Sequence, residues 1–132
     1  MIRAATPDDL PSIARIQALS SEASSWQPLD YDCRVTAIRE EIAGFIVIRS
    51  VAPAEHEILN LAVDPAYRRR GIARALIANV VDEMHGAWFL EVRESNSAAI
   101  RLYLCAGFAL AGRRSGYYHD PAEAAIVMRF FS

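Results

Sequence analysis

With 132 residues the chain has the length of one domain that can bury a real core, and it would be cramped for two. Hydrophobic residues make up 53% and charged ones 23%, which excludes a disordered tail or a low-complexity scaffold. With 14 basic and 16 acidic side chains the formal charge is −2, so no global field draws the protein to nucleic acid and any basic site must be local.

Two cysteines, Cys33 and Cys105, are too few for a disulfide framework. Cys105 sits among apolar residues in a helical pattern, which predicts a buried free thiol and suits a reducing compartment. The segment MIRAATPDDLPS has no apolar run of signal-peptide length, and no stretch approaches the roughly 20 residues of a membrane span. The expectation is a soluble, cytoplasmic protein without a membrane partner.

Met1 to Ala5 reads as a short strand. Thr6-Pro7-Asp8-Asp9 then supplies a helix cap, a proline at the first helical position and acids in the first turn. The helix runs from about Pro7 to Ser20, with Leu10, Ile13, Ala14 and Gln17 on one face and Ile16 and Leu19 beside them, a stripe for core packing. From Ser21 to Asp32 periodicity is lost and serine, proline and aspartate gather, so a loop is expected there. Its Trp26 and Tyr31 either pin the loop to the core or line a substrate mouth. Cys33–Arg39 and Ala43–Val51 alternate as two strands of a hairpin turning at Glu40-Glu41-Ile42. Residues 52–56 connect to a third strand, Glu57–Val63, and leave His56 as a solvent-exposed turn histidine.

Five of the six residues from Ile58 to Val63 are apolar, which suits a strand covered on both faces. Asp64-Pro65 ends it, because proline lacks the amide a ladder needs. Arg68-Arg69-Arg70-Gly71-Ile72-Ala73-Arg74 follows at the opening of a helix. There the orphan amides and the positive end of the helix dipole would hold an anion such as a pyrophosphate. That helix, about Gly71 to Met84, carries Ile72, Leu76, Val80 and Met84 in line with Ala73, Ile77 and Val81 beside them, and His85-Gly86 ends it. Ala87–Val92 is an apolar strand. Asn96-Ser97 caps a helix running to Ala106, with Gly107 at the position after it. Phe108–Gly112 and Ala124–Phe131 close the chain as strands around a polar, tyrosine-bearing loop. The element order is α/β, with strands at both ends and no repeat or linker.

Three motifs converge on one family. The spacing R-x-x-G-x-A from Arg68, the stretch LEVRESNSAAIRLYLCAGF from Leu90 to Phe108, and RRSGYY from Arg113 to Tyr118 together resemble the GNAT superfamily of N-acetyltransferases. Within it they resemble the bacterial ribosomal-protein-alanine N-acetyltransferases. The resemblance covers about Glu57 to Tyr118. It implies one acetyltransferase domain over residues 1–132, built on a mixed, mostly antiparallel sheet flanked by helices and splayed near the ligand. It also implies acetyl-CoA as co-substrate, with direct transfer to a protein N-terminal amine, a ribosomal protein being the implied acceptor. A lysine or small-molecule amine as acceptor, and a catalytically silent acyl-CoA-binding module, stay open as alternatives.

By that resemblance Leu61, Ala62 and Val63 offer backbone groups to the pantetheine arm and an amide to the thioester oxygen. Arg69, Arg70, Gly71, Ile72, Ala73 and Arg74 hold the pyrophosphate, and Asn96 both caps its helix and touches the CoA arm. Ala73 stands where the family more often has glycine, and the segment before Cys33 is shorter than usual. Acetyl transfer needs a proton acceptor, and Glu57, Glu91 and Glu94 all fall near strand ends. Glu91, inside an apolar strand where an idle carboxylate would be costly, matches the family's base. Tyr103 matches its general acid, since a phenol with a pKa near ~10 can protonate a departing thiolate. Tyr117 and Tyr118 match a tyrosine pair that either gates the acceptor or pins a hairpin. Cys33, Cys105, His56, His85 and His119 lack zinc-site spacing, so no metal is expected.

Overall fold

A single sheet carries the architecture of this computed structural model, which describes residues 1–19, 31–119 and 122–132. Its strands are β1 (Ile2–Ala4), β2 (Asp32–Ile38), β3 (Glu41–Ala52), β4 (Glu55–Val63), β5 (Ala87–Arg93), β6 (Ala109–Tyr118) and β7 (Glu123–Phe131). Their spatial order is β1-β2-β3-β4-β5-β7-β6. Among the described residues three α-helices flank the sheet: α1 (Leu10–Leu19), α2 (Ile72–Glu83) and α3 (Ser97–Cys105). Every neighbouring pair is antiparallel except β4 and β5, which are parallel because α2 crosses between them. The mixed α/β sheet expected from the sequence is the one found.

β3 has residues of both cores on its two faces, which explains its unbroken apolar run. Ala43, Ile46 and Ile48 pack with Leu76, Ile77 and Val80 of α2 and with Trp88 and Met128, while Ile42, Phe45 and Val47 pack with Ile13 and Ile16 of α1. Each side chain fully buried in this way contributes on the order of 2 kcal/mol of transfer free energy. Trp88 is completely buried and its indole N–H donates to the Met84 carbonyl at 2.8 Å, tying β5 to the end of α2.

Several local expectations are corrected. The first helix opens as a 3₁₀ turn, Pro7–Asp9, and only Ile13 and Ile16 of α1 are buried. Ala14 and Leu19 face outward, so the apolar stripe is narrower than its sequence spacing suggested. Asp9 fixes the entry: it accepts from the Thr6 amide at 2.8 Å and from both Nη atoms of Arg3 at 2.7 and 3.0 Å. Most of the Ser21–Asp32 loop, including Trp26, lies outside the described residues. Tyr31 is partly buried against the α1 core, the pinning role.

The first hairpin turns at Arg39 and Glu40, both with positive φ (50° and 69°), one residue earlier than read. β4 starts at Glu55, which carries His56 into the sheet: it is 4% exposed, where the sequence suggested a solvent-facing turn. Its Nε2–H donates to the His85 carbonyl at 3.1 Å, so Nδ1 accepts from the Ser50 hydroxyl at 2.8 Å, and the ring lies against Trp88. Cys105 is exposed, because it is rotated some 200° around α3 from the buried Tyr103. The tyrosine-bearing segment is strand: β6 continues through it to Tyr118, bulged between Arg114 and Tyr118.

Candidate acetyl-transfer cleft

The site begins where two parallel strands part. β4 and β5 pair at only three positions, Glu55 with Ala87, His56 with Trp88 and Glu57 with Phe89, although both strands continue. Just beyond, β4 carries an extra residue. Val47 lies opposite Asn60 while Ile48 lies opposite Ile58, so Leu59 forms a bulge that bends β4 away from β5. The opening is a cleft of about 850 Å³. It is lined on one side by Ile58–Val63 and on the other by Leu90–Arg93, with Asn96, Ala99 and Tyr103 of the α3 segment at its edge. The splay implied by the family resemblance is therefore present, with its cause in the bulge.

Of the residues singled out in the sequence, Leu61, Ala62, Val63, Ala73, Glu91, Asn96 and Tyr103 line this cleft, and Tyr118 joins them. Arg69, Arg70, Gly71, Ile72 and Arg74 do not line it. They surround the start of α2, and of the arginines in this run it is Arg68 that reaches the cleft wall. Gly71 caps α2 with φ +75° and leaves open space where a side chain would stand. It places no side chain over the first amides of the helix, whose first turn carries no acid. Arg70 stacks over the Tyr67 ring at 5.2 Å, and Arg74 donates to the Cys105 carbonyl at 3.3 Å. Asp64 closes β4: it accepts from the Ala66 amide at 2.9 Å and from Arg15 at 2.8 Å, and these bonds hold its carboxyl below the usual range.

Asn96 caps α3 by accepting from the Ala99 amide at 3.1 Å. At the other end Phe108 N donates to the Tyr103 carbonyl at 2.9 Å and Gly107 N to Leu104 at 3.1 Å, with φ +104° at Gly107. This C-terminal lock, together with the Phe108 ring edge-on to Tyr103, fixes the tyrosine at the cleft. Burial pushes the Tyr103 phenol above its ordinary pKa, so it stays protonated.

The three candidate carboxylates differ sharply. Glu57 is paired with Arg49 at 2.7 Å, and Glu94 accepts from Arg113 at 2.6 and 3.2 Å, which holds it below the usual range. Glu91 is on an interior strand, not an edge, with a side chain 14% exposed, and its Oε2 is buried without a hydrogen bond. It forms an ion pair with Arg114, whose Nη1 lies 3.4 Å from Oε2. Burial raises the Glu91 carboxyl above its ordinary value, Glu57 adds to this and Arg114 opposes it.

Sequence reasoning missed this pairing. It read RRSGYY for its tyrosines, and no strand periodicity brings residues three apart together; the β6 bulge between Arg114 and Tyr118 does so, setting the Arg114 guanidinium 4.7 Å over the Tyr117 ring. Arg93 likewise lies 4.4 Å over Tyr118 and pairs with Glu123 at 3.3 Å, fastening β5 to the last hairpin. Among the described residues no group of His, Cys, Asp and Glu could hold a metal, and no helix is long and apolar enough to cross a membrane.

A splayed parallel pair with a basic turn at the crossover helix is the arrangement that the resemblance to N-acetyltransferases implied. Residues 6–108 match the Acetyltransferase (GNAT) family, and the chain belongs to it. Among relatives, it is 42% identical over 94 residues to the ribosomal protein bS18 alanine N-acetyltransferase of Escherichia coli (strain K12), covering 67% of this chain and 63% of that one. It is 33% identical over 138 residues to an uncharacterized protein, ML0378, of Mycobacterium leprae, spanning 94% of this chain but 38% of that protein. The chain thus spans less than two thirds of the length of these relatives. The crystal structure of the ribosomal-protein-S18-alanine N-acetyltransferase from Escherichia coli superimposes with a TM-score of 0.81 at 32% identity, over 99% of this chain and 92% of that one.

Proposed function

We propose that residues 1–132 act as one acetyltransferase domain that moves the acetyl group of acetyl-CoA directly onto the N-terminal α-amine of a protein. The acceptor class is a ribosomal protein beginning with alanine, met in the cytoplasm. The observation that carries the reading is Glu91: alone among the three candidate carboxylates it has a buried oxygen that accepts no hydrogen bond and a raised carboxyl pKa, and it shares one cleft with Tyr103.

In this reading the start of α2 holds the pyrophosphate of the donor through the amides around Gly71 and the charge of Arg68, Arg69, Arg70 and Arg74. The open stretch Leu61–Val63 gives strand-like partners to the pantetheine arm, and a backbone amide there stabilises the oxyanion. An α-ammonium has a reference pKa near ~8, so the acceptor arrives mostly charged at neutral pH and must lose a proton to Glu91. The raised pKa of Glu91 suits that transfer. The neutral nitrogen then attacks the thioester carbon, the carbon–sulfur bond breaks as the Tyr103 hydroxyl gives its proton to the departing thiolate, and the second proton shed by the nitrogen restores the Tyr103 hydroxyl while Glu91 passes its own to solvent.

CoA release measured against peptides differing only at their N-terminus, with lysine-bearing peptides and polyamines alongside, tests the proposal. Turnover should be greatest with a free N-terminal alanine and absent when that amine is blocked. Equal turnover on the blocked peptide through a lysine would overturn the acceptor assignment.

A further inference from the structure

In the resting protein the place that an acceptor's ammonium must take beside Glu91 is held by a side chain of the protein itself. Arg114 Nη1 stands 3.4 Å from Glu91 Oε2, with the Arg114 side chain 58% exposed and the Glu91 side chain 14%. The contact is an ion pair without a hydrogen bond, since Oε2 accepts none. While paired with Glu91 the guanidinium already lies over the face of Tyr117 at 4.7 Å, and Tyr117 is itself braced edge-on against Tyr118 at 5.0 Å. A cation that is loosely paired, open to solvent and already over an aromatic face can let go of a carboxylate at little cost.

We propose that Arg114 is a positioning residue that holds the acceptor's place: its guanidinium neutralises Glu91 between turnovers, yields the carboxylate to the incoming α-ammonium, and stays over Tyr117 while the amine reacts. This inference rests on Glu91 being the proton acceptor. It assigns the R-x-x-Y step of β6 a role in acceptor entry, distinct from the hold that Arg93 has on Tyr118.

The charge environment makes the exchange sensible. Glu91 faces Glu57 from β4, which is engaged with Arg49 of β3, and Arg114 and Tyr118 from β6. Its cross-strand partner on β7 is the uncharged Val127. Burial pushes the Tyr118 phenol up to about 12, so it remains neutral. With Arg114 withdrawn, the remaining charged neighbour, Glu57, raises the Glu91 carboxyl further. The base therefore strengthens as the acceptor displaces the guanidinium. Without Arg114, Glu91 would hold a proton over a wider range of pH and be idle more of the time.

The test is Arg114→Gln, with Arg114→Lys as the charge-keeping control, in steady-state assays with an N-terminal peptide at saturating acetyl-CoA from pH 5.5 to 9.5. The acidic limb of kcat/KM, which rises as Glu91 ionises, should move to higher pH in Arg114→Gln. On the alkaline plateau the acceptor KM should fall roughly two- to fivefold, the scale on which a half-exposed ion pair competes, while the KM of acetyl-CoA stays put. Arg114→Lys should keep the parent's limb. An unmoved limb together with an unchanged or raised acceptor KM in Arg114→Gln would overturn the proposal. Glu91→Gln in the same assay separates this failure from that of the underlying reading. If it abolishes the limb while Arg114→Gln changes nothing, Glu91 stands as the base and Arg114 falls. If the limb persists in Glu91→Gln, the base is elsewhere and both fall.

Discussion

Replacing Glu91 by glutamine keeps the side-chain shape and removes the charge, so rate and stability should move in opposite directions. Loss of a general base costs roughly 10²- to 10⁴-fold in turnover. An α-amine with a pKa near ~8 is only about 10% neutral at pH 7 and about 90% neutral at pH 9, so raising the pH can return at most roughly tenfold. Glu91→Gln should therefore remain at least about tenfold slower than the parent at pH 9, measured as thiol release with the N-terminal peptide in single-turnover experiments. Stability follows from linkage. Burial raises the folded-state carboxyl pKa, so the stability contribution is fully present below the unfolded value of about 4.5 and is lost as pH rises through the folded value. At pH 7.5 the ionised group is a net cost that glutamine removes, less at most about 1 kcal/mol for the pair with half-exposed Arg114. A gain near 1 kcal/mol would raise Tm by roughly 3–5 °C for a chain of this size, with no gain at pH 4. Retention of the parent's rate and pH profile would refute the assignment and make Glu57, acting through water, the next candidate. A lower Tm at pH 7.5 would refute the burial argument by itself.

Three further outcomes are expected. Tyr103→Phe should cut turnover by roughly 10²-fold without rescue at high pH, because hydroxide cannot replace a proton donor, and should leave the calorimetric affinity for acetyl-CoA nearly unchanged. Unaltered turnover would remove Tyr103 from the chemistry. Gly71→Val should lose about 1–2 kcal/mol to its left-handed backbone alone, whereas Gly71→Asn tolerates φ +75° and should keep its Tm while binding acetyl-CoA at least about tenfold more weakly. Normal affinity in Gly71→Asn would make the glycine purely structural. Asp9, held down to about 2 chiefly by its bonds from Arg3, contributes stability that is present above pH 4 and lost as pH falls toward 2. Asp9→Asn should cost about 1–3 kcal/mol in denaturant melts at pH 7 and match the parent at pH 2. An equal deficit at both pH values would assign the loss to packing.

The elements that the sequence made legible were those set by nearest neighbours along the chain. The cap at Asn96 and the stop at Gly107 are local chemistry, and both are found with their hydrogen bonds formed. The stripe of α2 is equally legible, because five apolar positions at helical spacing need one wall to cover them. What sequence could not supply was anything fixed by a distant partner. His56 reads as a turn residue until β4 starts two positions earlier and sets it between Ser50 and the His85 carbonyl. Cys105 reads as buried because apolar composition says nothing of which side of a short helix meets the sheet. Arg114 and Glu91 are 23 residues apart in sequence and become neighbours only because β7 pairs with β5 on one side and with β6 on the other.

The cleft has the same character, and it follows from backbone accounting. β4 keeps its ladder with β3 as far as Val63 but has no β5 partner after Glu57, so the stretch from Ile58 onward presents peptide groups along an opening inside the sheet. Such groups require partners. One is met locally, since the Leu61 amide donates to the Asn60 side-chain oxygen at 2.9 Å. An extended molecule bearing amides, as a pantetheine arm does, is the chemistry that can pair with the rest as a strand would. The divergence that opens this edge also sets Glu91, two residues beyond the last paired position Phe89, at the open stretch of β5 with an oxygen that no backbone or side-chain donor satisfies. Had β4 and β5 stayed zipped, neither the free edge nor the poised carboxylate could exist. One extra residue, Leu59, thus couples the proposed donor site to the placement of the proposed base, and no periodicity in the sequence announces it, because a bulge is defined only against the strand it faces.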